Sequence, residues 1–98
     1  MERPKIVCLC GSTRFAEEFH KQNLRLTLQG FIVLSIGCDM KTDAEVFEGY
    51  TPEQLAKVKI DLDVLHLAKI DMADRILVLD VDGYIGESTR REIAYAEM

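Results

Sequence analysis

The chain has 98 residues, 48% of them hydrophobic and 30% charged, so we expect one domain spanning residues 1–98 with a modest core. Its net charge of −5 argues against sequence-independent binding to a nucleic acid polymer, which requires a basic face. No apolar run approaches the roughly 20 residues that cross a bilayer. We identify no signal peptide and expect no membrane association.

Three cysteines bear on location and on metal binding: Cys8, Cys10 and Cys38. Their odd number and spacing indicate a reducing compartment, and we expect a cytoplasmic protein. Cys8 and Cys10 alternate within an apolar run and therefore share one face of a strand. A metal site built on this pair needs two more ligands, and neither His20 nor His66 has matching spacing. We expect buried apolar cysteines, no metal and no cofactor.

The first half of the chain predicts a strand, a helix and a second strand. Residues 5–10 form an apolar run that ends at Gly11, which is typical of a strand buried on both faces. Apolar residues at near-helical spacing predict a helix over 15–29. Residues 31–36 repeat the pattern of a buried strand, and the following residues 38–50 are polar and irregular.

A well-marked helix begins after this segment. Thr51 is a good N-cap, Pro52 suits the first helical position and Gln54 completes a capping box. The helix, predicted over 52–69, has apolar residues on two sides, so it is either deeply buried or packed on a partner subunit. We therefore expect a homo-oligomer formed through this helix. The two apolar stripes consist of Leu55, Val58, Leu62 and Leu65, and of Ile60, Val64 and Leu67.

The last third predicts a strand over 75–79, a loop from Asp80 to Glu87 and a final helix that Ser88 or Thr89 opens. The order β-α-β-α-β-α predicts an α/β fold, a small doubly wound parallel sheet of the Rossmann or flavodoxin type with strand order 2-1-3. Such a sheet usually continues with another strand. We expect either a minimal fold or a missing C-terminal strand.

The strand order places two loops at one position. Ligands of open α/β sheets bind at the carboxyl ends of the strands where the winding direction reverses. The loops at this switch point are 11–14 and 80–88. We expect them to form the binding crevice.

The first loop has the chemistry of an anion or sugar site. Gly11 permits close backbone approach, the hydroxyls of Ser12 and Thr13 can hold a phosphate or sugar hydroxyl, and Arg14 adds a forked cation. The alternative is an ordinary strand–helix turn with Ser12 as N-cap. The loop is not a P-loop, because the Gly-Lys-Ser/Thr ending is missing.

The second loop is denser in functional groups. The carboxylates of Asp80 and Asp82 leave the strand end, and glycines keep the backbone open. Tyr84 offers a ring for stacking on a base. The other candidate binding residues are Gly83, Gly86, Ser88 and Thr89.

Glu92 lies one turn into the final helix and has two interpretations. It can point back at the crevice as a functional carboxylate. It can also complete a capping box with Thr89, and spacing alone favours this structural role.

The segment 73–96 resembles the nucleoside 2-deoxyribosyltransferase superfamily, including its bacterial and phage members. The likeness lies in the Ala73-Asp74 strand start, the glycine-containing loop after Asp80 and the helix from Ser88 to Ala96 with Glu92 at its centre. That superfamily includes deoxynucleoside 5′-monophosphate N-glycosidases. The opening strand and its Gly-Ser turn are similar as well.

The resemblance implies a nucleoside or nucleotide ligand and Glu92 as the nucleophile that attacks the anomeric carbon of deoxyribose. A nucleobase or water then releases the sugar, and Asp80 or Asp82 assists the leaving base. The chain departs from the pattern at Gly86, where active transferases have an aspartate, and at Ala94, where they have glycine. The alternatives are a non-catalytic nucleotide-binding module and a small oligomeric interaction domain.

Overall fold

A computed structural model describes residues 3–37 and 43–98. Cys38 and the rest of the segment 38–42 lie outside the described residues. The elements are, in chain order, β1 (Ile6–Cys10), a 3-10 turn (Thr13–Phe15), α1 (Ala16–Leu28), β2 (Ile32–Leu34), α2 (Asp43–Val46), α3 (Pro52–Met72), β3 (Arg75–Val78) and α4 (Glu87–Ala96).

The three strands form one parallel sheet in the order β2-β1-β3. This confirms the predicted α/β architecture and strand order. All five residues of β1 are buried, because this strand has a neighbour on each edge and helices on both faces. Its pairing sets Cys8 beside Leu34 of β2 and Cys10 beside Val78 of β3.

The alternation along β1 divides the core in two. Val7 and Leu9 pack with Phe19 and Leu26 of α1 on one face. The thiols of Cys8 and Cys10 belong to the opposite cluster. That cluster contains Ile70 and Leu67 of α3 together with Tyr95 of α4. The sheet is therefore covered by α1 on one side and by α3 and α4 on the other.

Helix α3 begins at the predicted residue and ends later than predicted. The Thr51 hydroxyl accepts from the Gln54 N–H at 3.1 Å and the Gln54 side chain accepts from the Thr51 N–H at 2.9 Å, so the capping box is confirmed. The helix continues to Met72 instead of ending near Lys69. At 1.5 Å per residue it is about 31 Å long, whereas the strands rise about 3.3 Å per residue and reach only about 16 Å.

Much of the apolar surface of α3 is not covered within the chain. Ile60, Leu62, Val64 and Leu65 are each at least half exposed, so deep burial of both stripes, one of the two predicted outcomes, is wrong for this chain alone. None of the helices within the described ranges combines the length and apolar character needed to span a membrane.

Helix α4 starts one to two residues earlier than expected. Its N-cap is Gly86, which supplies no side-chain hydrogen bond, and its first residue is Glu87. Thr89 therefore lies inside the first turn and is buried. The predicted capping box between Thr89 and Glu92 is wrong, because neither residue occupies the required position.

Candidate functional site

The β1 strand places two thiols side by side in the interior. Cys8 and Cys10 are two residues apart, so both side chains point to the face covered by α3 and α4. Both are fully buried free cysteines. Their burial agrees with the sequence-based expectation, but the sequence did not predict which side chains they contact.

Helix α3 supplies an imidazole directly over these thiols. His66 lies one helical turn before Ile70, on the same face, and only 6% of its side chain is exposed. Its Nε2 is 3.8 Å from the Cys8 Sγ and 3.5 Å from the Cys10 Sγ. Its Nδ1 is buried and has no hydrogen-bond partner among the described residues.

Helix α4 adds a carboxylate to the same point. The Glu92 Oε1 lies 3.6 Å from the His66 Nε2, and 13% of the Glu92 side chain is exposed. We call Cys8, Cys10, His66 and Glu92 the buried quartet. Its members come from three elements that meet only in the folded chain.

The quartet shifts the proton affinities of its own members. Burial raises the pKa of the Glu92 carboxyl, and the charge on His66 acts in the opposite direction. A hydrogen bond with Cys8 raises the pKa of His66, and burial opposes that rise. The hydrogen bond between the thiols lowers the pKa of Cys8 and raises that of Cys10.

A groove of about 300 Å³ lies between α3 and α4, next to the quartet. Glu92 belongs to both, so it connects the buried cluster to an open surface. Two contacts border the groove: Arg91 pairs with Asp63 at 3.8 Å, and the Tyr95 hydroxyl donates to Asp71 at 2.8 Å. The groove is lined by Asp63, Leu67, Ser88, Arg91, Glu92, Ala94, Tyr95 and Met98.

The two predicted binding loops are in contact with each other. The Arg14 guanidinium lies 4.2 Å from the centroid of the Tyr84 ring, and the Phe15 ring meets the same ring edge-on at 5.7 Å. Ser12 accepts from the Arg14 N–H at 3.3 Å and caps the 3-10 turn. The structure thus brings the residues after β1 and β3 together at one edge of the sheet.

The tip of the second loop is a tight hairpin turn. Asp82 and Gly83 have φ values of 54° and 78°, and the Tyr84 N–H donates to the Val81 carbonyl at 3.0 Å. Two successive residues of positive φ suit an Asp-Gly pair. This turn carries Asp82 on the exposed tip and returns the chain so that Tyr84 reaches Arg14.

The predicted catalytic residues do not form one group in this structure. Asp80 and Asp82 are exposed, and no contact between either aspartate and Glu92 is present among the described residues. The charged groups that most affect Glu92 are those of His66, Asp63, Cys8 and Arg91. Of the predicted binding residues, Ser88 lines the groove with Glu92, whereas Arg14 and Tyr84 belong to the loop contact.

Sequence reasoning did not identify His66 as part of the site. Its signal in the sequence is weak, because it is a single imidazole on a helix whose other buried residue, Ile70, is apolar. The Asp82-Gly83 pair, by contrast, is a strong local hairpin signal that the loop interpretation did not use.

Comparisons with known proteins assign no function to this geometry. No family model, no curated protein and no solved structure matches the chain.

Proposed function

We propose that this domain binds a nucleoside or nucleotide, with a deoxynucleoside monophosphate as the leading candidate, and cleaves or transfers its N-glycosidic bond through Glu92. The observation that carries the proposal is the position of the Glu92 carboxylate, which is 13% exposed, 3.6 Å from the His66 Nε2 and at the wall of the groove between α3 and α4. The resemblance of segment 73–96 to the deoxyribosyltransferase superfamily assigns the same residue.

The chemistry needs a carboxylate that is largely shielded from water yet reachable by a sugar. In the proposed reaction a Glu92 oxygen attacks the anomeric carbon, and the electrons of the glycosidic bond leave with the base. A proton donor assists the departing base, and Asp80 or Asp82 is the proposed donor. Water, or a second base, then attacks the same carbon and releases Glu92, with net retention of configuration.

A phosphate or base has a second point of contact in the loops. Arg14 is exposed and makes no ion pair among the described residues. Its forked guanidinium is suited to a phosphate. The Tyr84 ring, 39% exposed, lies against the guanidinium. We propose that these residues, with the backbone and hydroxyls of 11–13, hold the ligand.

A non-catalytic nucleotide-binding module is the second candidate. Two observations favour it: Gly86 stands where the active transferases have an aspartate, and Asp80 and Asp82 are exposed, without a contact to Glu92 among the described residues. In this case the crevice binds the nucleotide and leaves the glycosidic bond intact.

A homo-oligomer built on α3 belongs to the same proposal. The exposed Ile60, Leu62, Val64 and Leu65 are what a partner subunit would cover. The buried free thiols of Cys8 and Cys10 support the proposed cytoplasmic location, where thiols stay reduced. Light scattering at several protein concentrations tests the oligomer, and a monomer at all of them contradicts it.

Measuring the release of free base distinguishes the catalytic function from the non-catalytic binding module. The full chain is incubated with 2′-deoxynucleosides and their 5′-monophosphates, and free base is separated by chromatography. We expect Glu92→Gln to lower the rate by at least about 10³-fold, because nucleophile loss typically costs more than that. Glu87→Gln is the matched control, since Glu87 lies on the same helix with its side chain 90% exposed.

Three outcomes have distinct meanings. Loss of base release in Glu92→Gln alone, with unchanged circular dichroism, supports the nucleophile. Equal rates in Glu92→Gln and the wild type contradict it. A nucleotide that raises the melting temperature but is never cleaved, even at high protein concentration, favours the binding module.

A further inference from the structure

The buried quartet brings two sulfur atoms and a carboxylate oxygen close to one imidazole nitrogen. The ligand atoms of Cys8, Cys10 and His66 all lie within 4.8 Å of one another. Glu92 reaches the same imidazole nitrogen from the groove side. Such a convergence of soft and borderline donors in the interior of a small domain calls for a physical explanation.

Hydrogen bonding alone does not explain the distances. One imidazole nitrogen either donates or accepts one good hydrogen bond, yet three side chains surround the His66 Nε2. The 3.6 Å separation from the Glu92 Oε1 is too long for a nitrogen–oxygen hydrogen bond. Nε2 can make a good hydrogen bond with only one of these side chains, so the close approach of the other two needs another explanation.

The same distances are close to three of the six edges of a metal coordination tetrahedron, those that meet at the imidazole nitrogen. Zinc binds thiolate sulfur at about 2.3 Å and imidazole nitrogen at about 2.0–2.1 Å, which places sulfur and nitrogen about 3.5 Å apart and nitrogen and oxygen about 3.3 Å apart. The observed sulfur–nitrogen separations are 3.5 and 3.8 Å, and the nitrogen–oxygen separation is 3.6 Å. These three separations share the His66 Nε2 atom, and the two sulfur atoms lie within 4.8 Å of each other.

We propose that Cys8, Cys10 and His66, with Glu92 as the fourth ligand, form a binding site for a thiophilic divalent metal ion of the zinc class. Two thiolates and an imidazole select zinc over the oxygen-preferring magnesium and calcium ions. Three of the ligands lie on a central strand and on a helix packed against it, so the site is held by rigid elements.

Binding exchanges protons for the metal. The two thiols each release a proton to solvent, and their sulfur electron pairs bind the ion. The imidazole binds through Nε2 and keeps its proton on Nδ1. The Glu92 carboxylate binds as the anion. With a divalent ion the four ligands leave one net negative charge, and the nearby Lys69 ammonium, which also acts on Cys8, offsets it.

The metal site shares Glu92 with the reaction proposed above, but it is argued and tested separately. A Glu92 oxygen bound to metal is not available to attack a sugar. Metal occupancy and base release therefore exclude each other if both are present. The test below uses spectroscopic and structural readouts, so its failure leaves the Glu92→Gln assay unaffected.

The first experiment adds Zn²⁺ or Co²⁺ to the full reduced chain after chelator treatment. We expect one equivalent to bind. The Co²⁺ form should show a thiolate charge-transfer band and the strong visible bands of tetrahedral coordination. X-ray absorption of the Zn²⁺ form should show two sulfur ligands at about 2.3 Å and two lighter ligands at about 2.0–2.1 Å. Absence of stoichiometric binding, or a shell without two sulfurs, overturns the proposal.

Variants then assign the ligands. Cys8→Ser and Cys10→Ser should each weaken binding by more than the roughly 10–100-fold that loss of an outer-shell partner costs. Glu92→Gln should weaken it while keeping the thiolate band. His20→Gln, at an exposed position of α1, is the control and should bind as the wild type does, and Cys38→Ser tests whether the third cysteine takes part.

The assignment is overturned if Cys38→Ser abolishes the thiolate band, or if Cys8→Ser and Cys10→Ser leave affinity unchanged. Unchanged metal affinity in Glu92→Gln overturns the assignment of Glu92 as the fourth ligand. Circular dichroism in chelator shows whether each variant folds. If a cysteine variant does not fold, X-ray absorption of the wild-type protein shows whether two sulfur atoms bind the metal.

Discussion

The imidazole of His66 on α3 lies 3.6 Å from the carboxylate of Glu92 on α4, and this pair joins a buried interior to an open groove. Two thiols of β1 contact the same imidazole. The pair therefore connects three elements. Removing either member leaves a polar group in a poorly solvated place, which makes the contact both a structural and a chemical feature.

His66→Asn tests the structural part of this contact. The shorter amide loses the imidazole contacts with the thiols and leaves Glu92 without its partner. We expect the free energy of unfolding to fall by about 1–3 kcal/mol, the cost of an unsatisfied buried polar group. The measurement is urea denaturation in the presence of a chelator, so that metal plays no part.

The matched control for this variant is His20→Asn. His20 is exposed on α1, and its replacement should change stability by no more than about 0.5 kcal/mol. Equal stabilities of the two variants would mean that the contacts of His66 do not stabilise the fold.

Arg14 and Tyr84 should be energetically coupled. The guanidinium lies 4.2 Å from the ring centroid at an exposed site, where a cation–π contact contributes about 0.5–1 kcal/mol. A double-mutant cycle of Arg14→Gln and Tyr84→Leu, read as unfolding free energies, should return a coupling of this size. Tyr84→Phe keeps the ring and should retain most of it. A coupling of zero would show that this contact does not join the two loops.

Gly11→Ala should destabilise the domain by about 1–3 kcal/mol, as overpacking of a filled core does. A Cβ at this position would lie 3.0 Å from the Leu79 Cβ and 3.3 Å from the Phe19 Cζ, both of them buried. Thermal or urea unfolding measures the change. Gly37→Ala is the control, because no atom of the described residues lies within 4 Å of the position its Cβ would take. If both substitutions cost the same, close packing is not the reason for Gly11.

Asp74 should make stability depend on acid pH. Its carboxylate accepts from the Ile6 N–H at 2.7 Å, and this hydrogen bond lowers the pKa of Asp74. Since the pKa is lower in the folded state, the stabilisation is complete above the unfolded pKa of about 4. It is lost as the pH falls through the folded pKa.

The variant Asp74→Asn should therefore lose stability at neutral pH and show a flatter profile below about pH 4, in denaturation series at several pH values. Asp80→Asn is the comparison, because Asp80 is exposed and has no hydrogen-bond partner among the described residues. A parallel profile for Asp74→Asn and the wild type would contradict the role of the Ile6 hydrogen bond.

The elements of this protein could be predicted because their signals are local. The capping box at Thr51 and Gln54 lies within four residues, and the five apolar residues of β1 mark a central strand. The predicted ends of the helices and strands were less accurate. Helix α4 starts at Glu87 with Gly86 as N-cap, although serine and threonine follow as better cap residues, because the backbone conformation of the loop decides where helical geometry begins.

The sequence by itself determined the three strands, the main helices, the sheet order and the convergence of the loops after β1 and β3, since periodicity and winding rules depend on neighbouring residues and on chirality. Only the tertiary structure decided that His66 and Glu92 meet over Cys8 and Cys10. Which face of α3 turns to the sheet depends on the packing of two helices against one strand. That packing is a property of the whole domain, and no local spacing in the chain encodes it.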